Sequence, residues 1–252
     1  MSAAEVPRSA KAKKRKQRDD GGSRKRRKGD AFVDDSLLDT EAGVNRAFET
    51  MDSQLLSDHF SQQTTRFGKD LSPIELSDLY ISKNSIKDTS SFSKTRNLEN
   101  LPTFLEEFSE KPADLAKAPV PKGAPHTIIV AGAGLRAADI VRAVRTYQKK
   151  GNVVSKLFAK HIKLEEAVTF LKSNRTGIAV GTPARLMDLL NNGALSVEHL
   201  ERLVVDASHI DMKKRGVMDM KDTMMPLAKW LSRQEFKDRY AAEEKPLELL
   251  FF

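Results

Sequence analysis

The feature that most constrains this chain is a series of short apolar, β-branched runs separated by helical segments. The runs are residues 127–132 (TIIVAG), 153–159 (VVSKLFA), 176–181 (TGIAVG), 202–207 (RLVVDA) and 246–252 (PLELLFF). Runs that stay apolar at successive positions, without alternating, belong to strands buried on both faces. Between the first two, residues 136–150 place Ala138, Val141, Val144 and Tyr147 at helical spacing, and Gly151-Asn152 ends that stripe. Residues 164–171 and 183–192 also read as helices, the second with Pro183 in its first turn and Thr182 at the N-cap. A further helical stretch is expected around residues 223–240. Alternation of this kind predicts a parallel sheet between two helical layers, an α/β fold. That domain is placed at residues 126–252, after the proline-containing linker 117–125 (KAPVPKGAP).

Upstream, the pattern changes twice. The formal net charge is +8, and residues 1–30 hold all of it, with 12 Lys/Arg against 4 acids. Residues 1–36 have little to bury and much like charge, so they are expected to be a disordered tail. Lys13, Lys14, Arg15 and Lys16, then Arg24, Lys25, Arg26, Arg27 and Lys28, form two basic clusters around a short spacer. That arrangement reads as a bipartite nuclear localisation signal for an import receptor, with nonspecific RNA binding as a compatible second role. Residues 37–125 form a partly helical extension. Residues 44–60 carry Val44, Ala47, Phe48, Met51, Leu55 and Phe60 largely on one helical stripe. This helix either packs on the α/β domain or docks into another protein. Residues 71–81 (LSPIELSDLYI) and 101–108 (LPTFLEEF) are further apolar patches.

The chain has no cysteine, which excludes disulfides, thiolate metal sites and cysteine nucleophiles. No apolar run is long enough for a membrane helix, and the basic start lacks the hydrophobic core of a secretory signal. A soluble intracellular protein with no membrane partner is expected. His161, His199 and His209 lack metal-ligand spacing, so no metal is assigned. The methionine-rich residues 212–225 read as a gap-filling loop or, alternatively, as a docking surface.

The stretch Gly132-Ala133-Gly134-Leu135-Arg136-Ala137 matches a dinucleotide fingerprint between strand and helix. The next strand ends without the acid that binds ribose hydroxyls, which argues against a dinucleotide site. Taken with Thr182-Pro183-Ala184-Arg185-Leu186 and Asp206-Ala207-Ser208-His209, it resembles something else. The order, spacing and strand-to-helix positions resemble the first RecA-like domain of DEAD-box RNA helicases, in truncated form. In that family the first two motifs grip the backbone of single-stranded RNA. The resemblance therefore implies RNA-binding roles for Gly134, Leu135, Arg136, Thr182, Ala184 and Arg185. The bland alternative gives these residues to the fold: Thr182 as N-cap, Arg185 bridging to a carboxylate, Asp206 capping the following turn. Ala207 stands where the acid that positions the attacking water would be. The Gly68-Lys69 pair is followed by Asp70 and lacks a P-loop glycine before it. No catalytic residue, cofactor or small-molecule substrate is expected, and Asp206, Ala207, Ser208 and His209 are read as a degenerate motif.

Over its whole length, with the basic tail, the 71–81 and 101–108 elements and the degenerate helicase half, the chain resembles the CMS family of small-ribosomal-subunit biogenesis proteins, in a fungal form. The resemblance implies a nuclear, nucleolar protein of the 90S pre-ribosome (small-subunit processome), with pre-ribosomal RNA and proteins as partners. The alternatives are an active nucleotide-dependent enzyme and a pure protein-interaction scaffold.

Overall fold

The computed structural model describes residues 1, 35–159 and 162–252. The two basic clusters of the tail lie outside the described residues, as does His161. In chain order the elements are β1 (Leu38–Asp39), β2 (Val44–Asn45), α1 (Ala47–Thr50), α2 (Ser53–Phe67), α3 (Pro73–Asp78), α4 (Leu101–Glu107), β3 (Thr127–Val130) and α5 (Gly134–Ala143). There follow β4 (Val153–Leu157), α6 (Leu164–Ser173), β5 (Thr176–Gly181), α7 (Pro183–Asn191), β6 (Arg202–Val205), α8 (Lys221–Leu231), α9 (Gln234–Tyr240) and β7 (Glu248–Phe251).

The five long strands form one sheet in the order β4-β5-β3-β6-β7, and every neighbouring pair is parallel. This is the expected α/β sheet, and the apolar runs explain it. Ile128 and Val130 point into one core cluster and Ile129 into the other. Likewise Leu203 and Val205 face one side and Val204 the other. Side chains alternate across a strand, so a strand apolar at every position serves two layers. α6, α7 and α8 belong to the first side, with Leu171, Leu186, Leu189 and Trp230 in its cluster. α5 covers the other, through Ala137, Ile140 and Val141.

Several local expectations need correction. The helix expected at 44–60 is broken into β2, α1 and α2. Asn45 Oδ1 accepts the Ala47 N–H, and Asp52 caps α2 by accepting the Leu55 N–H at 2.8 Å, so the chain restarts there. The resulting α2 runs on to Phe67 and packs on the sheet, with Phe60 edge-on to Phe251 at 6.4 Å. The stretch at 223–240 is two helices, interrupted at Ser232-Arg233. α5 stops at Ala143 and continues as a 3-10 turn to Tyr147.

The region before residue 126 also closes an edge of the sheet. β7 is the last strand on its side. Its outer edge is met by Ile86, which bridges Leu249, and by the Lys87 N–H, which donates to the Leu249 carbonyl at 2.8 Å. Fully buried Arg96 donates to the carbonyls of Phe251 and Thr89 and lies over the Phe104 ring. Unpaired strand edges invite association, so this cover matters to the fold.

Candidate functional site

In an open parallel sheet, ligands bind beyond the carboxyl ends of the strands, where neighbouring connections leave in opposite directions. Here that place lies between β3 and β6. The chain leaves β3 through α5 on one face and β6 through α8 on the other, and the two strands are paired with Val130 opposite Val205. The motif residues converge there. Gly134, Leu135 and Arg136 open α5, and Asp206-Ala207-Ser208-His209 follow β6.

Arg136 is turned across this crevice. Its Nε donates to Asp206 Oδ2 at 2.8 Å and its Nη2 to Oδ1 at 2.7 Å. Asp206 therefore receives a guanidinium fork and does not cap the following turn, because both of its oxygens are engaged by the arginine. The two side chains are 11% and 2% exposed. His209 lies close by, and burial, followed by the positive charge of Arg136, pushes its pKa below the usual value.

Two other parts of the chain pack beside the pair. A Cβ on Gly132 would stand 3.3 Å from Val217, so the loop before α8 is packed against the turn after β3. The β1–β2 hairpin covers the loop after β6. The Asn45 N–H donates to the Ser208 carbonyl at 2.7 Å, the Ile210 N–H donates to the Gly43 carbonyl at 3.0 Å, and Val44 pairs with His209 in an antiparallel bridge. Gly43 adopts φ +66°, a conformation costly for other residues. Ala207 is buried, and both its N–H and that of Ser208 donate to the Phe252 carbonyl at 2.8 Å.

The second motif lies at the same edge of the sheet, after β5, which pairs with β3. Its helix α7 covers the opposite face from α5, so the two helix starts straddle the edge. Thr182 occupies the N-cap position, but its hydroxyl makes no capping bond. Arg185 is buried and donates to the Ile162 carbonyl at 3.0 Å, with no carboxylate partner among the described residues. Ala184 and Leu135 are exposed, Leu135 at 64%. The N-cap of α5, Ala133, also lacks a capping side chain, so neither helix start has its first amide groups capped by a side chain. Gly68-Lys69 follows helix α2, not a strand, and Asp70 pairs with Lys221. No cluster of three or more metal-ligating side chains occurs among the described residues.

Sequence reasoning missed the hairpin and Arg96. The hairpin strands are two residues each, too short for any period, and Arg96 sits in a stretch rich in Ser, Lys and Asn without apolar rhythm.

Fold and site define a three-layer parallel α/β domain in which an arginine–carboxylate pair bridges the strand ends at the switch point. Residues 1–252 match the CMS1 family, described as a U3-containing 90S pre-ribosomal complex subunit, and the chain belongs to that family. Protein CMS1 of Chaetomium thermophilum is 62% identical over 242 residues, covering 95% of this chain and 96% of the relative. Protein cms1 of Schizosaccharomyces pombe is 30% identical over 216 residues, 86% of this chain and 74% of the relative. Among solved structures, a DEAD box protein from Methanococcus jannaschii aligns with TM-score 0.38 and 15% identity, covering 63% of this chain and 37% of that one.

Proposed function

We propose that this protein is a non-catalytic assembly factor of the small-subunit precursor, working in the nucleolus among pre-ribosomal RNA and proteins without hydrolysing ATP. The family's description as a 90S pre-ribosomal complex subunit supports the setting. The observation that best supports the absence of catalysis is the Arg136–Asp206 pair. Asp206, the carboxylate that could hold magnesium, is engaged by Arg136, and the β1–β2 hairpin lies on the loop that follows it. The sequence offers no P-loop lysine to hold phosphates and has Ala207 where a water-positioning acid is needed.

RNA contact by the domain falls to the helix starts. Arg136 and Arg185 are committed inward, so the groups left to meet phosphate are the backbone N–H groups at Gly134, Leu135 and Ala184, with Thr182 beside them. Such contacts read the backbone, not the base sequence. In this reading, residues 1–36 supply the import signal and a nonspecific hold on polyanions, residues 37–125 close the crevice and the sheet edge, and residues 126–252 carry the RNA-facing surface.

The test is made on the full chain. Mg·ATP is expected to leave the melting temperature unchanged and phosphate release at background, while single-stranded RNA raises the melting temperature. Nucleotide-dependent stabilisation would overturn the non-catalytic reading. A protein that RNA does not stabilise would be a scaffold for protein partners.

A further inference from the structure

The loop between β6 and α8 carries a turn at residues 211–215 that neither the fold nor the crevice uses. Its geometry is fixed from inside. Asp211 Oδ1 accepts the N–H groups of Lys213 at 2.7 Å and Arg215 at 3.0 Å, and Asp211 Oδ2 takes the Arg215 guanidinium through Nε at 3.1 Å and Nη2 at 2.7 Å. The Asp211 N–H donates to the Arg215 carbonyl at 2.9 Å, and the Lys214 N–H donates to the Asp211 carbonyl at 2.8 Å. The base of the turn rests on the main chain after β6, where a Cβ on Gly216 would stand 3.2 Å from the His209 carbonyl oxygen. The acid of the turn is thus spent on Arg215. Lys213 and Lys214 stand exposed with no ion-pair partner among the described residues. Lys214 holds φ +59°, the left-handed region, which is costly for any residue with a Cβ, and Met212 is 104% exposed. These bonds define the turn, and both adjacent lysines face solvent.

We infer that this turn is a phosphate-binding knuckle that seats an RNA backbone on Lys213 and Lys214, with Met212 as the apolar flank. The inference deepens the RNA reading above and rests on it. Two like charges held side by side, with their nearest acid neutralised, attract a polyanion with closely spaced charges. Rigid placement lowers the ordering cost of such a contact. Buried Val217, just beyond the turn, packs against Gly132, two residues before the start of α5, so the loop that carries the knuckle is anchored beside that helix start.

The experiment uses the full chain with single-stranded oligouridine, and lysine acetylation read residue by residue by mass spectrometry. RNA is expected to protect Lys213 and Lys214. The Lys213→Gln/Lys214→Asn variant, whose Asn tolerates positive φ, is expected to melt as the parent does. Its salt slope of RNA binding is expected to fall by about 1.4, at roughly 0.7 for each single-strand phosphate that is no longer neutralised. If RNA leaves both lysines as reactive as in the free protein, or the slope is unchanged, the inference fails. If polyglutamate protects them and RNA does not, the partner is an acidic protein and the inference fails. Leu135→Asp/Ala184→Asp separates the two readings. Loss of binding there with unprotected lysines keeps the RNA reading and sinks the knuckle. Unchanged binding there with protected lysines assigns the RNA contact to the knuckle.

Discussion

Arg136 and Asp206, 70 residues apart in the chain, meet in a two-pronged ion pair that spans the carboxyl ends of β3 and β6. The pair joins the start of α5 to the end of β6 where an open α/β sheet would place a ligand. It therefore does two things at once: it ties two elements together, and it removes the carboxylate from any metal and the guanidinium from any phosphate.

Breaking it should be expensive. Asp206→Ala leaves a guanidinium largely out of water with no carboxylate, and the loss of one partner of a buried pair costs about 3–5 kcal/mol. Arg136→Met, which strands the carboxylate, should cost a similar amount. The double variant Arg136→Met/Asp206→Leu should recover much of the loss, because no charge is left buried. Urea unfolding of the four proteins measures this, and purely additive losses would show that the pair contributes little.

The sheet was legible in the sequence because its central strands are apolar on both faces, as in residues 128–130 and 203–205. The site was legible only in outline. Motif order brought Arg136 and Asp206 into view, but nothing local showed that they meet, because each has the same identity whether it faces RNA, magnesium or its partner. The hairpin was hidden for a related reason: Gly43, Val44 and Asn45 gain their role from Ser208, His209 and Ile210, more than 160 residues away.

Restoring the missing acid should not restore an enzyme. Ala207 is 1% exposed, and its surroundings are the Phe252 carbonyl and the loop at Gly216. Ala207→Glu forces a carboxylate into that space with no cation to meet it, since Arg136 is already taken. The variant is expected to melt well below the parent, with RNA-stimulated phosphate release still at background. Any gain of ATPase activity would show that the crevice opens.

The protein should lose stability in mild acid, through histidine. His126 is 5% exposed; burial, with the nearby positive charge of Arg202 adding to it, pushes its pKa down to about 4 from 6.5. Above pH 6.5 neither the folded nor the unfolded state holds the proton, and the contribution is complete. As pH falls from 6.5 towards 4 the unfolded chain takes up a proton that the folded protein refuses, so stability declines by up to about 3 kcal/mol. Below 4 this group costs nothing further. His59 and His209 are shifted in the same direction, chiefly by burial, and add to the loss as pH falls below 6.5. Asp39 and Asp211, whose pKa values are lowered, lose their contribution only at lower pH, as it falls through their folded values. Unfolding free energies at pH 7.5, 5.5 and 4 are expected to fall in order, with a shallower slope for His126→Gln, roughly as that shift requires.

Arg96 gives the last test, of how the sheet ends. Burial holds its guanidinium pKa down to about 10, so it remains charged at neutral pH. It stays inside because it donates to the Phe251 and Thr89 carbonyls and lies 5.6 Å from the centre of the Phe104 ring. Arg96→Met keeps the apolar contact and removes the charged donor from both carbonyls, leaving Phe251 the Thr89 hydroxyl at 3.4 Å and Thr89 the Phe92 N–H at 3.2 Å, for a cost of about 1.5–3 kcal/mol. The local effect should exceed the global one. The segment from Ile86 to Arg96 is the cover of the β7 edge, and the Lys87 N–H bonds to Leu249 within it. Amide exchange at Lys87 is therefore expected to accelerate more than exchange in β3, at the centre of the sheet, and the variant should aggregate through the freed edge. Equal acceleration at both places would mean that Arg96 supports the whole core and not the edge.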